Sequence, residues 1–222
     1  LMSYPKVHFS VNTNTWGIES RFNLATPVAV GDTIYTGTDE GAVVALSRSS
    51  GGELWRRWLG GAVYGSPAYL DGRLYVSSSD GSITAIDAHS NGVELWKLYT
   101  GAGVPTSPAL IKIAGNTKVL IGTSTGALVC LNDDGSVAWQ AKTDAPLWGP
   151  PSVSTAGGEY RVYVGSYDGS VRAYDISSGG LRWVTDPEMA DQNGTPLGPI
   201  RCAIPVVGNR LYVATLGNGL FC

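Results

Sequence analysis

Ala173-Tyr174-Asp175-Ile176-Ser177-Ser178-Gly179-Gly180-Leu181-Arg182-Trp183 places the end of an apolar strand, a glycine-bearing turn and a tryptophan within eleven residues. Just upstream, Arg161-Val162-Tyr163-Val164-Gly165-Ser166 and Ser170-Val171-Arg172-Ala173-Tyr174 alternate their side chains with the period of two that marks β-strands. Between them, Tyr167-Asp168-Gly169 reads as a hairpin whose Asp-Gly supplies the positive φ of a two-residue turn. Pro151 opens the unit. Together these features describe four short strands in a row.

The unit recurs. Its prolines are Pro27, Pro67, Pro108, Pro151 and Pro205, its mid-unit glycines Gly41, Gly81, Gly126, Gly169 and Gly219, and its closing tryptophans Trp16, Trp55, Trp96, Trp139 and Trp183. Most successive spacings fall between 39 and 45 residues. That period suits a four-stranded propeller blade, and the 3.6-residue apolar rhythm of helical repeats is absent. Ser79-Asp80-Gly81 and Thr38-Asp39-Glu40-Gly41 occupy the same turn as Asp168, and turn chemistry accounts for the acids there without a bound cation.

Ala173 to Trp183 resembles the tryptophan-docking signature of PQQ-like (quinoprotein-type) propellers, Ala-x-Asp-x-x-x-Gly-x-x-x-Trp. Ala45 to Trp55 fits it with Ser47 for Asp, Ala85 to Trp96 has one residue more, and Cys130 to Trp139 one fewer. The resemblance implies that Trp16, Trp55, Trp96, Trp139 and Trp183 are wedged, buried, between neighbouring blades, where a large flat side chain covers much area. It also implies an extracytoplasmic location, as in the outer-membrane assembly propellers and extracellular sensor domains that share the repeat.

At 222 residues the chain is expected to form one domain over 1-222, all-β and built around one axis. Charged residues are 15% of the sequence against 30 glycines and seven tryptophans, a balance suited to short strands and tight turns. A net charge of −3 with scattered Lys and Arg gives no footprint for nucleic acid, and no stretch is apolar enough for a membrane helix. A monomer is expected. Cys130, Cys202 and Cys222 match no metal-ligand spacing; Cys130 reads as a buried small hydrophobe, and Cys202 pairs with Cys222 only if the fold brings them together.

Lys6 to Trp16 looks like the end of a blade and Gly219 to Cys222 like a third strand. Their pairing would close a five-bladed ring, the alternative being a fragment of a seven- or eight-bladed one.

In a propeller, the connections between blades share a face with the turns joining second and third strands, and loops on a rigid scaffold are free to carry function. Tyr64 and Trp148 stand three residues before the repeat proline, where the other blades hold Leu24, Pro105 and Cys202. They are candidate stacking residues at the mouth of the central channel, or filler packed on neighbouring blades. The long connection Val184 to Arg201 carries Asp186, Glu188 and Asp191 and is a candidate lid. Asn193-Gly194-Thr195 in it matches a glycosylation acceptor, a motif short enough to arise by chance. Arg56 and Arg57, beside Trp58, form a candidate contact patch or simply cover apolar surface.

Quinoprotein dehydrogenases of this family use clustered metal-binding carboxylates and, often, adjacent cysteines beneath the cofactor. The chain has no Cys-Cys pair, its acids sit in turns, and His8 and His89 lie in no triad-like order, so no catalytic residue, metal or cofactor is expected. A protein-interaction scaffold is the leading reading. A carbohydrate- or small-ligand-binding propeller using Tyr64 and Trp148 is the alternative, and a fragment of a PQQ-dependent dehydrogenase the second.

Overall fold

The computed structural model describes residues 25–186, 197–208, 210–216 and 219–222. Blade 1 is β1 (Val28–Val30), β2 (Thr33–Gly37), β3 (Ala42–Ser47) and β4 (Glu53–Trp58). Blade 2 is β5 (Ala68–Leu70), β6 (Arg73–Ser77), β7 (Ser82–Asp87) and β8 (Val93–Tyr99). Blade 3 is β9 (Ala109–Ile113), β10 (Asn116–Gly122), β11 (Ala127–Asn132) and β12 (Val137–Lys142), and blade 4 is β13 (Ser152–Ser154), β14 (Arg161–Gly165), β15 (Val171–Asp175) and β16 (Leu181–Val184). Each is an antiparallel sheet with its strands in chain order, the propeller arrangement read from the repeat.

A fifth unit follows: β17 (Val206–Val207) pairs with β18 (Arg210–Leu211), and β19 (Val213–Thr215) with β20 (Gly219–Phe221). The Tyr212 amide donates to the Pro205 carbonyl at 3.0 Å, so β18 and β19 are one second strand with an interruption. Three strands of a fifth blade are therefore present. The proposed pairing of Lys6 to Trp16 with this blade lies outside the described residues.

The core lies in the joints between blades. Tyr35, Val43 and Ala45 pack on Leu74, Val76 and Ile86 of the next blade, and Leu120, Leu128 and Cys130 pack on Val162, Val164 and Tyr174 in the same manner. Cys130 is fully buried, as expected, and burial pushes its thiol up to about 11. Cys202 and Cys222 are both free thiols.

Trp55, Trp96, Trp139 and Trp183 are half-buried rather than buried as expected. Trp55, Trp96 and Trp139 each lie, from the outer strand, on a glycine of the next blade. A Cβ added at Gly92, Gly135 or Gly179 would stand 2.6 Å from the ring of Trp55, Trp96 or Trp139, respectively. These glycines hold φ of 70°, 85° and 72°, a left-handed conformation that glycine adopts without strain. The indole N–H of Trp96 donates to the Asp133 carbonyl at 2.8 Å, and that of Trp139 to the Ile176 carbonyl at 2.6 Å. Trp183 packs beside the cluster of Val171, Ile200, Ile204 and Val213. Trp16 lies outside the described residues.

A β-bulge aims each of these rings. Trp55, Trp96, Trp139 and Trp183 face Ala45, Ala85, Cys130 and Ala173, and the residue before each tryptophan is the extra one of the bulge.

Candidate functional site

The expected face exists. The connection after β4 runs between the β2–β3 turn of its own blade and the β6–β7 turn of the next: Leu59 N donates to Gly41 O at 2.8 Å, Val63 N to Thr38 O at 2.9 Å, and Ser79 N to Ala62 O at 2.9 Å. The connections after β8 and β12 repeat this pattern.

The turns have three residues rather than the expected two. In blade 4 the Ser166 amide donates to the Ser170 carbonyl at 2.9 Å, and Gly169 N closes the turn on Ser166 O at 3.0 Å. Gly169 alone has positive φ, so Asp168 is free to cap: its carboxylate accepts from Ser170 N at 2.8 Å and Ser170 Oγ at 2.6 Å. Asp80 does the same for Ser82. Burial acts to raise both carboxyls, but the serine hydroxyl and amide outweigh it, with Arg172 helping at Asp168 and Lys97 at Asp80. Both acids therefore sit below their ordinary value.

Each connection is anchored by one buried apolar residue whose amide bonds the preceding turn, namely Val63, Val104, Leu147 and Ile200. The residue after the anchor is Tyr64, Pro105, Trp148 or Arg201. Counting back from the proline had put Cys202 in this series. The last connection holds one extra residue between anchor and proline, so Cys202 takes the next position and packs its backbone against Gly149. Arg201 is the member of the series, with its Cζ 5.4 Å from the centroid of the Trp148 ring. Tyr64 is exposed and Trp148 half-buried, and Pro105 stands between them in the order around the mouth. Of the expected lid, Asp186 is exposed at the end of blade 4, while Glu188, Asp191 and Asn193 lie outside the described residues, as does Leu24.

Two cations, Lys97 half-buried and Arg172 buried, hold the connections that carry the aromatics, and sequence reasoning missed both. Lys97 reaches from β8 to the Leu59 carbonyl and to Asp80 at 3.6 Å. Arg172, from β15, pairs with Asp144 at 2.8 Å and with Asp168 at 3.4 Å and donates to Ser170. The innermost strands are linked by hydroxyls: Thr26 N donates to Ser66 Oγ and Ser66 N to Ser107 Oγ, each at 2.8 Å. Pro150 occupies the corresponding place in the next blade.

Of the candidate arginine patch, Arg56 pairs with Glu53 at 2.7 Å and lies over Trp58, while Arg57 Nε donates to the Gly92 carbonyl at 2.8 Å. Arg57 is thus a tie between blades 1 and 2 rather than a contact residue.

Two clefts open on the opposite face. One of about 890 Å³ lies beside Trp96, Lys118 and Asp133, and one of about 630 Å³ beside Tyr163 and Trp183; neither includes Tyr64 or Trp148. Asp133 is already engaged by Arg73 and by the Tyr75 hydroxyl at 2.7 Å.

The family model described as outer membrane protein assembly factor BamB matches residues 10–197. The chain belongs to that family. Among solved structures, BamB from Moraxella catarrhalis superposes with a TM-score of 0.73 at 20% identity, over 89% of this chain and 60% of that one. The computationally designed Ika8 protein gives 0.70 at 16% identity, over 87% and 56% of the two chains. Quinohemoprotein alcohol dehydrogenase from Comamonas testosteroni gives 0.59 at 15% identity, over 78% and 37%. The BamB-family chain thus spans less than two thirds of the length of each. A comparison with curated proteins finds no match. Among the described residues, no three His, Cys, Asp or Glu side chains cluster to hold a metal ion.

Proposed function

We propose that the chain is a non-catalytic binding module that engages a protein partner, outside the cytoplasm, through the face formed by the inter-blade connections. One observation carries this reading. Of the five exposed aromatic side chains among the described residues, Trp58, Tyr64, Tyr99 and Tyr167 lie on or at the rim of that face, and only Tyr160 lies on the other. Exposed aromatics beside arginine are the composition of protein interfaces, and a rigid mount lowers the entropy lost on binding. The half-buried Lys97 and the buried Arg172 supply that mount. Arg201 lies over the Trp148 ring, which favours a protein over a sugar stacked on it.

Photo-crosslinking residues placed at positions 64 and 148, and at 72 and 115 on the opposite face, test the proposal in cells. Discrete protein adducts from 64 and 148 alone are expected. Adducts only from 72 and 115, or glycan-array binding abolished by Tyr64→Ser with Trp148→Ser, would overturn it.

A further inference from the structure

We propose that Arg201 is the reader of a carboxylate on the partner, so that the segment received at the mouth is an acidic peptide with an apolar or aromatic residue beside the acid. This rests on the reading of the connection face as the binding face, and adds to it the chemistry of what is bound.

Arg56, Arg73, Lys97, Arg161, Arg172 and Arg182 each have a carboxylate partner within the protein. Arg201, exposed on the mouth face, has none among the described residues, where it lies over the Trp148 ring. A guanidinium seated on an aromatic face spends that face on the contact and keeps its N–H donors in plane, in a fork that matches a carboxylate. Lys142 is exposed at the end of β12, which leads into the connection carrying Trp148, and it too has no carboxylate partner among the described residues. Asp144, in the same connection as Trp148, and Asp168, in the following β14–β15 turn, are both already bound by Arg172. The mouth therefore offers an aromatic surface from Tyr64 and Trp148 beside two cations that have no carboxylate partner among the described residues. Its complement is negative charge next to apolar surface.

The test is selection of a phage-displayed random-peptide library on the purified chain, followed by titration of the enriched peptide in synthetic form. Enrichment of Asp or Glu beside apolar residues is expected. Arg201→Gln should weaken the peptide about ten- to a hundred-fold, the range of a hydrogen bond to a charged group. Changing the peptide's acid to its amide should cost the same in the wild type and little in Arg201→Gln, with the variant's melting temperature unchanged. An acid-free pool, or one bound equally well by Arg201→Gln, overturns the inference. If such a pool is still weakened by Tyr64→Ser and Trp148→Ser, the binding face stands without the carboxylate. If those substitutions also have no effect, or nothing is enriched, both readings fail.

Discussion

Gly92 shows how a blade joint is decided at a single residue. Its left-handed φ and the Trp55 ring above it both exclude a side chain. Gly92→Ala should therefore destabilise the chain by about 2–4 kcal/mol, of which the backbone conformation accounts for about 1–2 kcal/mol. In a Trp55→Ala background only the backbone part should remain, so urea melts of the single and double variants should be non-additive. Additive values would mean that the ring does not rest on the glycine. Cys130 makes a simpler case: burial raises its thiol to about 11, and thiolate is the reactive form. At pH 8 a thiol reagent should label exposed Cys222 rapidly and Cys130 only on unfolding, as mass spectrometry of the tryptic peptides would show.

At the scale of the strand and its turn, Asp175 organises the β15–β16 corner. Its carboxylate accepts from the Ser177 amide at 3.0 Å, the Ser178 amide at 2.9 Å and Arg182 Nη2 at 2.7 Å. Arg182 first, then the Ser178 amide, hold the carboxyl at about 2, below its ordinary 3.8. A depressed folded pKa gives stability that is present above the unfolded value and lost as pH falls through the folded one. Stability should thus decline between about pH 4 and pH 2, and Asp175→Asn should flatten that part of the profile in denaturant melts taken across pH. This corner was legible in the sequence because Asp, Gly and Trp stand at fixed offsets. The bulge before each tryptophan was not. Leu54, Leu95, Ala138 and Arg182 share no chemistry, since the extra residue is a property of backbone register. Arg201 was hidden for a related reason: an inserted residue shifts the count from Pro205, and only the apolar anchor Ile200 keeps the frame.

Over the whole molecule, stability is distributed joint by joint rather than held in one central core. Tyr35 and Val43 are buried against blade 2, and Cys130 and Leu120 against blade 4, with no cluster common to both. A chain of this kind behaves as a sum of unit and neighbour terms. Hydrogen exchange of Gly92→Ala should accordingly accelerate in β1 to β8 and leave β13 to β16 near wild type. Uniform acceleration would instead indicate one cooperative unit. The four complete blades and their order were foreseeable from the period alone, because repeated prolines, glycines and tryptophans mark the same turns and strands. The Lys97 and Arg172 mounts were not foreseeable, since the equivalent task is done from an outer strand in one blade and a third strand in another.

Contacts across the joints recur between corresponding positions of adjacent units: tryptophan to the next glycine at three joints, and amide to the next hydroxyl at two of them. Nothing in such a contact depends on how many units come before it. The joints tile like courses of similar brick, so duplicating or deleting one unit of about forty residues would leave the seams away from that unit intact. Blade number is thereby free to drift in evolution while the local chemistry of each seam stays fixed, and a designer could lengthen the arc by copying Pro67 to Ser107 without redesigning its neighbours.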